Sequence, residues 1–385
     1  MSAALALTLD PPWRVPAATL TVRGTPRSRT AVRIRLRDGQ GQAGHGEALP
    51  LPGYSSDDAD AAERALALLA ARGALRVPAS AAITGAGGPG SAAALLDAVL
   101  SPDAELLAAA PSARFALECA LLDLLARRAG LSAAQWLAQG RALQPVPVSV
   151  LLPEDSAPAV AAATQAVRAG HRVLKLKIAR ADRTAAQDHA LLAAVRAAAD
   201  AAASAEAAAS PGASTCPAVL LRLDANGALT PAAAPARLAG LQCHGVEVVE
   251  EPVAGANLLA LPPLPLRWAA DESLADPALA AALLALPAGR RPAALVLKPA
   301  LLGLARCLVL ADAAAARGVG LIVTHAMDGD LGLAVACALA AALPVPPWPC
   351  GVAPHAGLRH PAPSRPWLAP PAAVGLFVHV DFDAA

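Results

Sequence analysis

The sequence predicts an α/β protein, a (β/α)7β barrel of the TIM type with an α+β capping domain. Three observations support this prediction. The length of 385 residues suits a barrel of about 250 residues plus a smaller domain. From residue 145 onward, strand-like apolar runs alternate with alanine-rich helical runs, as βα units do. Several of these runs end in a charged residue, and the active sites of such barrels lie at the carboxyl ends of their strands.

The predicted architecture has three parts. Residues 1–144 form the N-terminal α+β cap, residues 145–360 form the catalytic barrel, and residues 361–385 return to the cap. The tail is included in the cap because its last apolar run, Val374–Val380, is predicted to be a strand. The capping domain is therefore predicted to combine the N-terminal region with the C-terminal tail.

Inside the cap, the local patterns predict strands followed by helices. Ala31–Arg37 and Ala43–Ala48 alternate as strands around a glycine-bearing turn. Ser55–Asp58 offers capping side chains before a helix over Ala59–Ala71. The longest helical period covers Ala113–Arg128, and Gly130 follows it as a stop signal.

Eight barrel strands are predicted, the last of them weaker because it contains prolines. They cover 146–152, 172–178, 218–224, 245–250, 266–271, 294–298, 319–324 and 342–350. One segment, 197–217, consists almost wholly of Ala, Ser, Gly and Pro and breaks the rhythm between the second and third strands. It is predicted to extend a helix, then loop, as a tolerated surface insertion.

Composition limits the classes of function. Lysine and arginine total 31 against 30 acidic residues, so no net field attracts nucleic acid or an anionic membrane, and a small-molecule partner is favoured. The N-terminus has no basic signal region, and no apolar run reaches transmembrane length, which favours a cytoplasmic protein. The six cysteines include no C-x-x-C pair and are expected to be reduced thiols.

The predicted strand over residues 172–178 carries two lysines. Lys175 and Lys177 project from the same face because side chains alternate along a strand. Repulsion between the two ammonium groups, together with partial burial, is expected to lower the lysine pKa from about 10.4 toward roughly 7–8. The pair would then supply a general base at neutral pH.

Acidic residues close the next three predicted strands, and a lysine closes the fourth. Asp224, Glu250 and Asp271 end consecutive apolar runs, and Lys298 ends the run after them. Each acid alone has an ordinary explanation as a turn, a solvated strand end or a helix cap. Because the carboxyl ends of barrel strands converge, the three carboxylates are predicted to meet. An all-oxygen site of this kind favours Mg²⁺.

Five short motifs carry a family resemblance. They are Lys175-Leu-Lys177, Asp224-Ala-Asn226, Glu250-Glu-Pro252, Asp271-Glu-Ser273 and Lys298-Pro299. In this order they resemble the enolase superfamily, and within it the muconate-cycloisomerase subgroup, whose members have a (β/α)7β barrel and an α+β cap. The likeness is greatest to the o-succinylbenzoate synthase family. It rests on four further segments, Gly46–Ser55, Phe115–Leu124, Pro147–Leu152 and Val296–Gly303.

The resemblance implies a role for each charged position. The implied ligands of Mg²⁺, for which Mn²⁺ can substitute, are Asp224, Glu250 and Asp271. The implied catalytic lysines are Lys177 as the base, Lys175 as its assistant and Lys298 facing the base across the substrate. A cation bound to the substrate carboxylate would stabilise the enediolate that forms when the neighbouring proton is removed.

Four more residues are candidates for substrate binding or for supporting the site. Asn226 and Arg222 lie beside the first implied ligand. Tyr54, the chain's single tyrosine, lies in a turn-rich loop that is predicted to close as a lid. His325 stands where these synthases often have a serine- and glutamate-rich strand end, and we expect it to line the pocket or form a hydrogen bond. A catalytic role for it would be redundant with Lys298.

The implied activity is a carbon–oxygen lyase reaction. It dehydrates 2-succinyl-6-hydroxy-2,4-cyclohexadiene-1-carboxylate to o-succinylbenzoate in menaquinone biosynthesis. An N-acylamino-acid racemase, a dipeptide epimerase and a muconate-type cycloisomerase share the same catalytic positions and stay open as alternatives. A Schiff-base aldolase would have no role for three clustered acids. The expected partner is a small carboxylate, and a homo-oligomer is left open.

Overall fold

The computed structural model describes residues 3–15, 21–22, 25–26, 29–73, 75–77, 91–209, 218–355, 367–368 and 374–376. All structural statements below concern these residues. None of the helices in this part of the chain combines the length and the apolar character that a membrane span needs.

The described residues of the N-terminal region begin with antiparallel strands that form one four-stranded sheet and two two-stranded sheets. Its strands are β1 (Ala3–Ala4), β2 (Ala6–Leu9), β3 (Trp13–Val15), β4 (Thr21–Val22), β5 (Thr25–Pro26), β6 (Arg29–Arg37), β7 (Ala43–Ala48) and β8 (Arg76–Val77). The longest strand, β6, pairs with β2, β3 and β7, whereas β1 pairs with β8 and β4 with β5. The predicted hairpin of β6 and β7 is confirmed.

Five α-helices follow among the described residues of this region. They are α1 (Ala59–Arg72), α2 (Ser91–Leu100), α3 (Ala104–Ala108), α4 (Pro111–Ala129) and α5 (Ala133–Ala138). The predicted helix start is confirmed, because the Asp58 carboxylate accepts a hydrogen bond from the Ala61 N–H at 2.8 Å. The predicted stop is also confirmed, because Gly130 ends α4 in the left-handed conformation.

Helix α4 connects the sheet to the rest of the molecule, and glycines on β7 permit its close approach. A Cβ at Gly44 would lie 2.1 Å from the Ala120 carbonyl oxygen, and one at Gly46 would lie 1.9 Å from the Ala116 carbonyl oxygen. At its other face, the fully buried Glu118 carboxylate accepts the Leu304 N–H at 2.5 Å. This contact attaches α4 to the helices that follow the sixth strand of the parallel sheet.

The second half of the chain alternates strands and helices. Its elements are β9 (Val146–Pro147), β10 (Val150–Leu151), α6 (Ser156–Arg168), β11 (Val173–Lys177), α7 (Ala185–Ala209), β12 (Leu220–Asp224), α8 (Ala234–Ala239), β13 (Val246–Glu250), β14 (Trp268–Ala270), α9 (Pro277–Ala285), β15 (Ala294–Leu297), α10 (Pro299–Leu302), α11 (Leu304–Ala315), β16 (Gly320–Val323), α12 (Asp330–Ala341) and β17 (Trp367–Leu368). Strands β10 to β16 pair in chain order, and every pair is parallel. The predicted (β/α)7β barrel is confirmed.

Short contacts close the barrel where the eighth strand was predicted. The Gly351 N–H donates to the Val323 carbonyl at 2.9 Å, and the Cys350 N–H donates to the Pro147 carbonyl at 2.7 Å. Parallel bridges join the same segment to Val148 and Thr324. The prediction of a regular strand over 342–350 is wrong, because its prolines have no N–H to donate and only the last residues reach the sheet.

Three other predictions about the barrel and the tail need correction or restriction. The first predicted strand, 146–152, is divided into β9 and β10, because β9 pairs with the antiparallel β17 whereas β10 belongs to the barrel. The alanine-rich segment extends α7 as far as Ala209, and residues 210–217 lie outside the described residues. Of the predicted strand 374–380 only 374–376 are described, where Gly375 bridges to Ser132.

Candidate active site

Strand register brings the predicted charged residues to one level of the barrel. Lys177 at the end of β11 is paired with Asp224 at the end of β12, and Asp224 is paired with Glu250 at the end of β13. Asp271 follows β14 directly, and Lys298 follows β15 directly. Because the strands are parallel, all five residues lie at the same end of the sheet.

The three carboxylates form a compact buried cluster. Asp224, Glu250 and Asp271 are 4%, 1% and 2% exposed, and each offers an oxygen that lies within 4.8 Å of the other two. The buried Asp271 Oδ1 has no hydrogen-bond partner among the described residues. Three buried anions at this spacing need positive charge, and a set of carboxylate oxygens suits a hard divalent cation. The residues therefore fit the Mg²⁺ site that the sequence predicts.

Two lysines lie inside this cluster. Lys175 Nζ is 2.8 Å from Asp224 Oδ2 and also contacts Glu250, and Lys298 Nζ is 2.7 Å from Asp271 Oδ2. Burial alone would lower the pKa of both lysines, but the surrounding carboxylates outweigh it and raise both pKa values above the usual range. The expected lowering by lysine–lysine repulsion is therefore wrong for Lys175, because anions rather than Lys177 are its nearest charged neighbours.

Lys177 is in a different environment. Its Nζ is 3.6 Å from Glu154 Oε1, and its side chain is 22% exposed. Glu154 is also contacted by Arg180, so the carboxylate has two cationic neighbours. Lys177 thus lies at the rim of the cluster, next to the strand ends but without a short bond to Asp224, Glu250 or Asp271 among the contacts of the described residues.

A cavity of about 140 Å³ opens beside Lys298 and Asp271. Tyr54 and its neighbours Ser55–Asp57 line one wall of this cavity. The Tyr54 ring packs against a small cluster made of Leu51, from its own loop, and Ala326, from the segment after β16. The structure therefore places the predicted lid residue beside the strand-end charges, while closure of the loop stays a prediction.

The two residues predicted to support the first acid have different environments. The Asn226 backbone N–H donates to Asp224 Oδ1 at 3.0 Å, and its side-chain amide donates to Glu272 at 3.2 Å. Arg222 is fully buried, and its guanidinium donates to Glu247 at 2.7 Å and to the Pro349 carbonyl at 2.6 Å. Asn226 thus contacts the cluster, whereas the contacts of Arg222 hold the irregular eighth segment inside the barrel.

The hydrogen bonds of His325 use both ring nitrogens. Nδ1 accepts the Met327 N–H at 3.0 Å, and Nε2 lies 3.0 Å from the Ala353 carbonyl, to which it can donate as the neutral tautomer. Burial, followed by the neighbouring His355, lowers the pKa of His325 to about 3. A neutral, fully bonded ring supports the loop after β16 and has no free nitrogen for proton transfer in this arrangement.

Sequence reasoning missed three acids that organise the site. Glu251 is buried and accepts the N–H groups of Asp271 at 2.7 Å and of Ser273 at 3.1 Å, so it holds the end of β14 in place. Glu272 is 3.3 Å from Lys298 Nζ, and Glu154 is the partner of Lys177. Glu251 and Glu272 lie within the motifs themselves, next to the predicted ligands. Their position beside the predicted ligands was the only sequence feature that pointed to a role in the site.

The structure is a parallel barrel whose strand ends carry buried carboxylates and lysines, and it belongs to the class of barrel proteins with an acidic cluster at the mouth that could hold a cation. The family model described as Enolase C-terminal domain-like matches residues 159–384. The o-succinylbenzoate synthase of Desulfotalea psychrophila is 32% identical over 331 residues, which are 82% of this chain and 83% of that protein. The chain therefore belongs to the enolase superfamily, which confirms the resemblance and indicates an enzyme.

Solved structures agree on the fold. The L-Ala-D/L-Glu epimerase of Bacillus subtilis, solved as a substrate-liganded complex, superposes with a TM-score of 0.78 at 23% identity and covers 97% of this chain and 98% of its own. A dipeptide epimerase of Enterococcus faecalis, solved with Mg and the dipeptide L-Leu-L-Tyr, superposes with a TM-score of 0.74 at 21% identity. The match covers 98% of this chain and 99% of the epimerase chain. Both likenesses extend over nearly the whole chain.

Proposed function

We propose that the chain is a Mg²⁺-dependent lyase that dehydrates 2-succinyl-6-hydroxy-2,4-cyclohexadiene-1-carboxylate to o-succinylbenzoate. The observation that carries this proposal is the 32% identity to an o-succinylbenzoate synthase over 82% of the chain. The strand-end carboxylates and lysines supply the chemistry that the reaction needs. A cytoplasmic role in menaquinone biosynthesis, and the ability of Mn²⁺ to replace Mg²⁺, are parts of the same proposal.

The reaction is a syn elimination in which one base serves both steps. The Lys177 amine takes the proton from the carbon that bears the carboxylate, and the electron pair of that C–H bond is first held by the carboxylate as an enediolate. The pair then forms the new ring double bond as the C–O bond breaks. The resulting ammonium group then returns the proton to the departing hydroxide, and water leaves. Lys177 suits this role because it lies at the rim, without a short bond to the carboxylate cluster.

Lys298 is assigned an electrostatic role. Its contacts with Asp271 and Glu272 and its raised pKa keep it a cation, so it stabilises negative charge on the substrate without exchanging a proton. Bound Mg²⁺ would supply further positive charge for the substrate carboxylate. Tyr54 and its loop would exclude water from the cavity next to these charges.

The main alternative is racemisation or epimerisation of an N-acylated amino acid or dipeptide. The structural neighbours described as epimerases motivate it, because the same fold carries that activity in those proteins. Racemisation removes a proton from one face of a carbon and returns one to the other face. It would therefore require both Lys177 and Lys298 to transfer protons.

Two arginine substitutions test the assignment, because arginine keeps the positive charge but does not deprotonate near neutral pH. We expect Lys177→Arg to lose about 10²- to 10⁴-fold in dehydration kcat/KM, the usual contribution of a general base. Lys298→Arg should retain measurable dehydration. Equal inactivity of both variants, with native circular dichroism, would argue against a one-base elimination.

A second experiment addresses the alternative directly. The wild-type enzyme with Mg²⁺ is incubated with N-succinyl amino acids in D₂O, and α-deuterium incorporation and inversion are followed. The lyase proposal predicts that dehydration is the more efficient reaction. Rapid exchange of both enantiomers, with kcat/KM above that of dehydration, would overturn it in favour of a racemase.

A further inference from the structure

A second group of metal-ligating side chains lies outside the barrel strands. His189, Cys243 and His244 each offer a ligand atom, and these atoms lie within 4.8 Å of one another. His189 lies in the second turn of α7, and Cys243 and His244 lie in the short 3-10 turn Gln242–His244 that precedes β13. The cluster therefore joins the helix layer to the loop between α8 and β13, separate from the strand-end carboxylates.

One of these ligands is buried and has an unused nitrogen. His244 is 7% exposed, and its Nε2 has no hydrogen-bond partner among the described residues. A buried polar atom without a partner is costly, and binding a cation is one way to satisfy it. Its ring meets the His189 ring edge to face, with the centroids 4.6 Å apart. Cys243 is an exposed free thiol whose only described contact is a weak hydrogen bond to the Gly240 carbonyl at 3.7 Å.

The scaffold around the cluster is fixed by a neighbouring ion pair. Asp188, next to His189, is buried and accepts from Arg237 of α8 at 2.7 Å, and its carboxylate also accepts the Ala179 N–H at 2.8 Å. The positive charge of Arg196, on the same helix, is balanced by Asp200 at 3.0 Å. Helix α7 and the α8 segment are therefore held together next to the three ligands.

From this geometry we propose that His189, Cys243 and His244 bind Zn²⁺. Two imidazoles and one thiolate form a nitrogen–sulfur donor set, which suits a tetrahedral Zn²⁺ whose fourth position is open to water. Mg²⁺ does not compete here, because it prefers oxygen ligands. The bound ion would fasten the long, alanine-rich helix α7 to the turn that leads into β13.

Cobalt is a suitable probe because it takes the place of zinc and reports sulfur ligation by absorbance. Full-length wild-type protein under reducing conditions, with excess Mg²⁺ to occupy the carboxylate cluster, is titrated with Co²⁺. We expect one thiolate-to-cobalt charge-transfer band that saturates near one equivalent, and stoichiometric Zn²⁺ should displace it. Co²⁺ at the carboxylate cluster has no sulfur ligand there and gives no such band.

Matched variants decide which residues bind the ion. Cys243→Ser should lose the band, whereas Gln242→Ser, the same replacement at the neighbouring exposed position of the turn, should keep it. His189→Gln, also at an exposed position, should weaken Co²⁺ binding and shift the band. Absence of a band in the wild-type protein at saturating Co²⁺ would overturn the proposal, and so would an unchanged band in Cys243→Ser.

Thermal unfolding provides a second readout that does not depend on colour. An ion that binds only the folded state stabilises it, and the stabilisation grows with the logarithm of the free ion concentration once this exceeds the Kd. Zn²⁺ should therefore raise the Tm of the wild-type protein and of Gln242→Ser but not that of Cys243→Ser. An equal rise in all three proteins would place the zinc elsewhere and contradict the proposal.

Discussion

Two clusters of metal-ligating side chains occupy opposite kinds of environment in this molecule. The strand-end cluster is made of three carboxylates that are almost fully buried, and two lysines contact them at 2.7 and 2.8 Å. The cluster on the helix layer is made of nitrogen and sulfur donors, and His189 and Cys243 are exposed. The first therefore suits a hard cation in a low-dielectric interior, and the second suits a borderline cation at the surface.

The clusters also differ in how the chain supports them. Each carboxylate ends or follows a barrel strand, and Glu251 holds the end of β14 through two backbone N–H groups. The histidine–cysteine cluster depends on one helix and one short turn. Rigid strands place charge precisely enough for chemistry, whereas a helix–turn contact is better suited to stabilising the fold. Loss of the first cluster should therefore affect turnover, and loss of the second should affect stability.

The largest effect is expected from the strand-end cluster. Chelation of divalent ions should abolish dehydration, and added Mg²⁺ should restore it. Asp224→Asn should lower kcat/KM by more than about 10³-fold, because it removes one anionic ligand and one partner of Lys175. Cys243→Ser, the matched change at the other cluster, should stay within about twofold of wild type. Full activity in a metal-free preparation would show that the carboxylates serve another purpose.

A smaller effect is expected from the residue that supports this cluster. Glu251→Gln replaces one acceptor oxygen with an NH₂ group that faces backbone N–H groups, so Asp271 should lose its fixed position. We expect the Mg²⁺ concentration needed for half-maximal activity to rise about 10- to 100-fold, as for other groups that orient ligands. Glu206→Gln, which changes an ion pair far along α7, serves as the control. An unchanged Mg²⁺ requirement would mean that Glu251 is only a structural hydrogen-bond acceptor.

The sequence predicted the strand-end cluster well and the helix-layer cluster not at all. Carboxylates at the ends of successive strands follow from strand order alone, because parallel strands converge. His189 and Cys243 are 54 positions apart by their residue numbers, and only the packing of α7 against the turn before β13 brings them together. No local pattern encodes that contact.

Electrostatic partners were equally hard to foresee. Lys175 and Lys177 were correctly expected on one face, but their different neighbours depend on which side chains surround the strand end. Asn226, two residues after β12, and Glu251, directly after β13, have positive φ values of 42° and 40°. The Asn226-Gly227 pair is a turn signal that permits a positive φ, but at Glu251 such a φ is backbone strain set by tertiary contacts, and the sequence shows no sign of it.

The lid should have a moderate effect. Tyr54→Ala removes a ring that lines the cavity beside Lys298, so kcat/KM for dehydration should fall about tenfold while Tm changes little, because the ring is only partly buried. Val309→Ala, at a position of α11 that is 52% exposed, should leave both quantities unchanged. If Tyr54→Ala keeps the wild-type kcat/KM, the loop is an ordinary surface turn.

The smallest expected effect is on stability and concerns His325. Unlike His244, His325 has hydrogen-bond partners for both ring nitrogens. The pKa of His325 is lowered by burial to about 3 from an ordinary value of 6.5. Between these values the unfolded chain binds a proton at this ring and the folded protein does not. The contribution of His325 to stability is therefore complete above pH 6.5 and is lost as the pH falls toward 3, with a slope of at most about 1.4 kcal/mol per pH unit.

The Asp328 carboxyl changes stability with pH in the opposite direction, so variants at both positions are compared with wild type. Burial raises the pKa of Asp328 to about 6 from 3.8, and the folded protein gains stability there as the pH falls through this window. In urea unfolding at pH 7, 6 and 5, the free energy of unfolding of His325→Gln should fall less on acidification than that of wild type. The free energy of unfolding of Asp328→Asn should fall more than that of wild type over the same pH range. Parallel curves for wild type and His325→Gln would mean that this ring takes up its proton equally in the folded and unfolded states, and that its two hydrogen bonds do not hold it neutral.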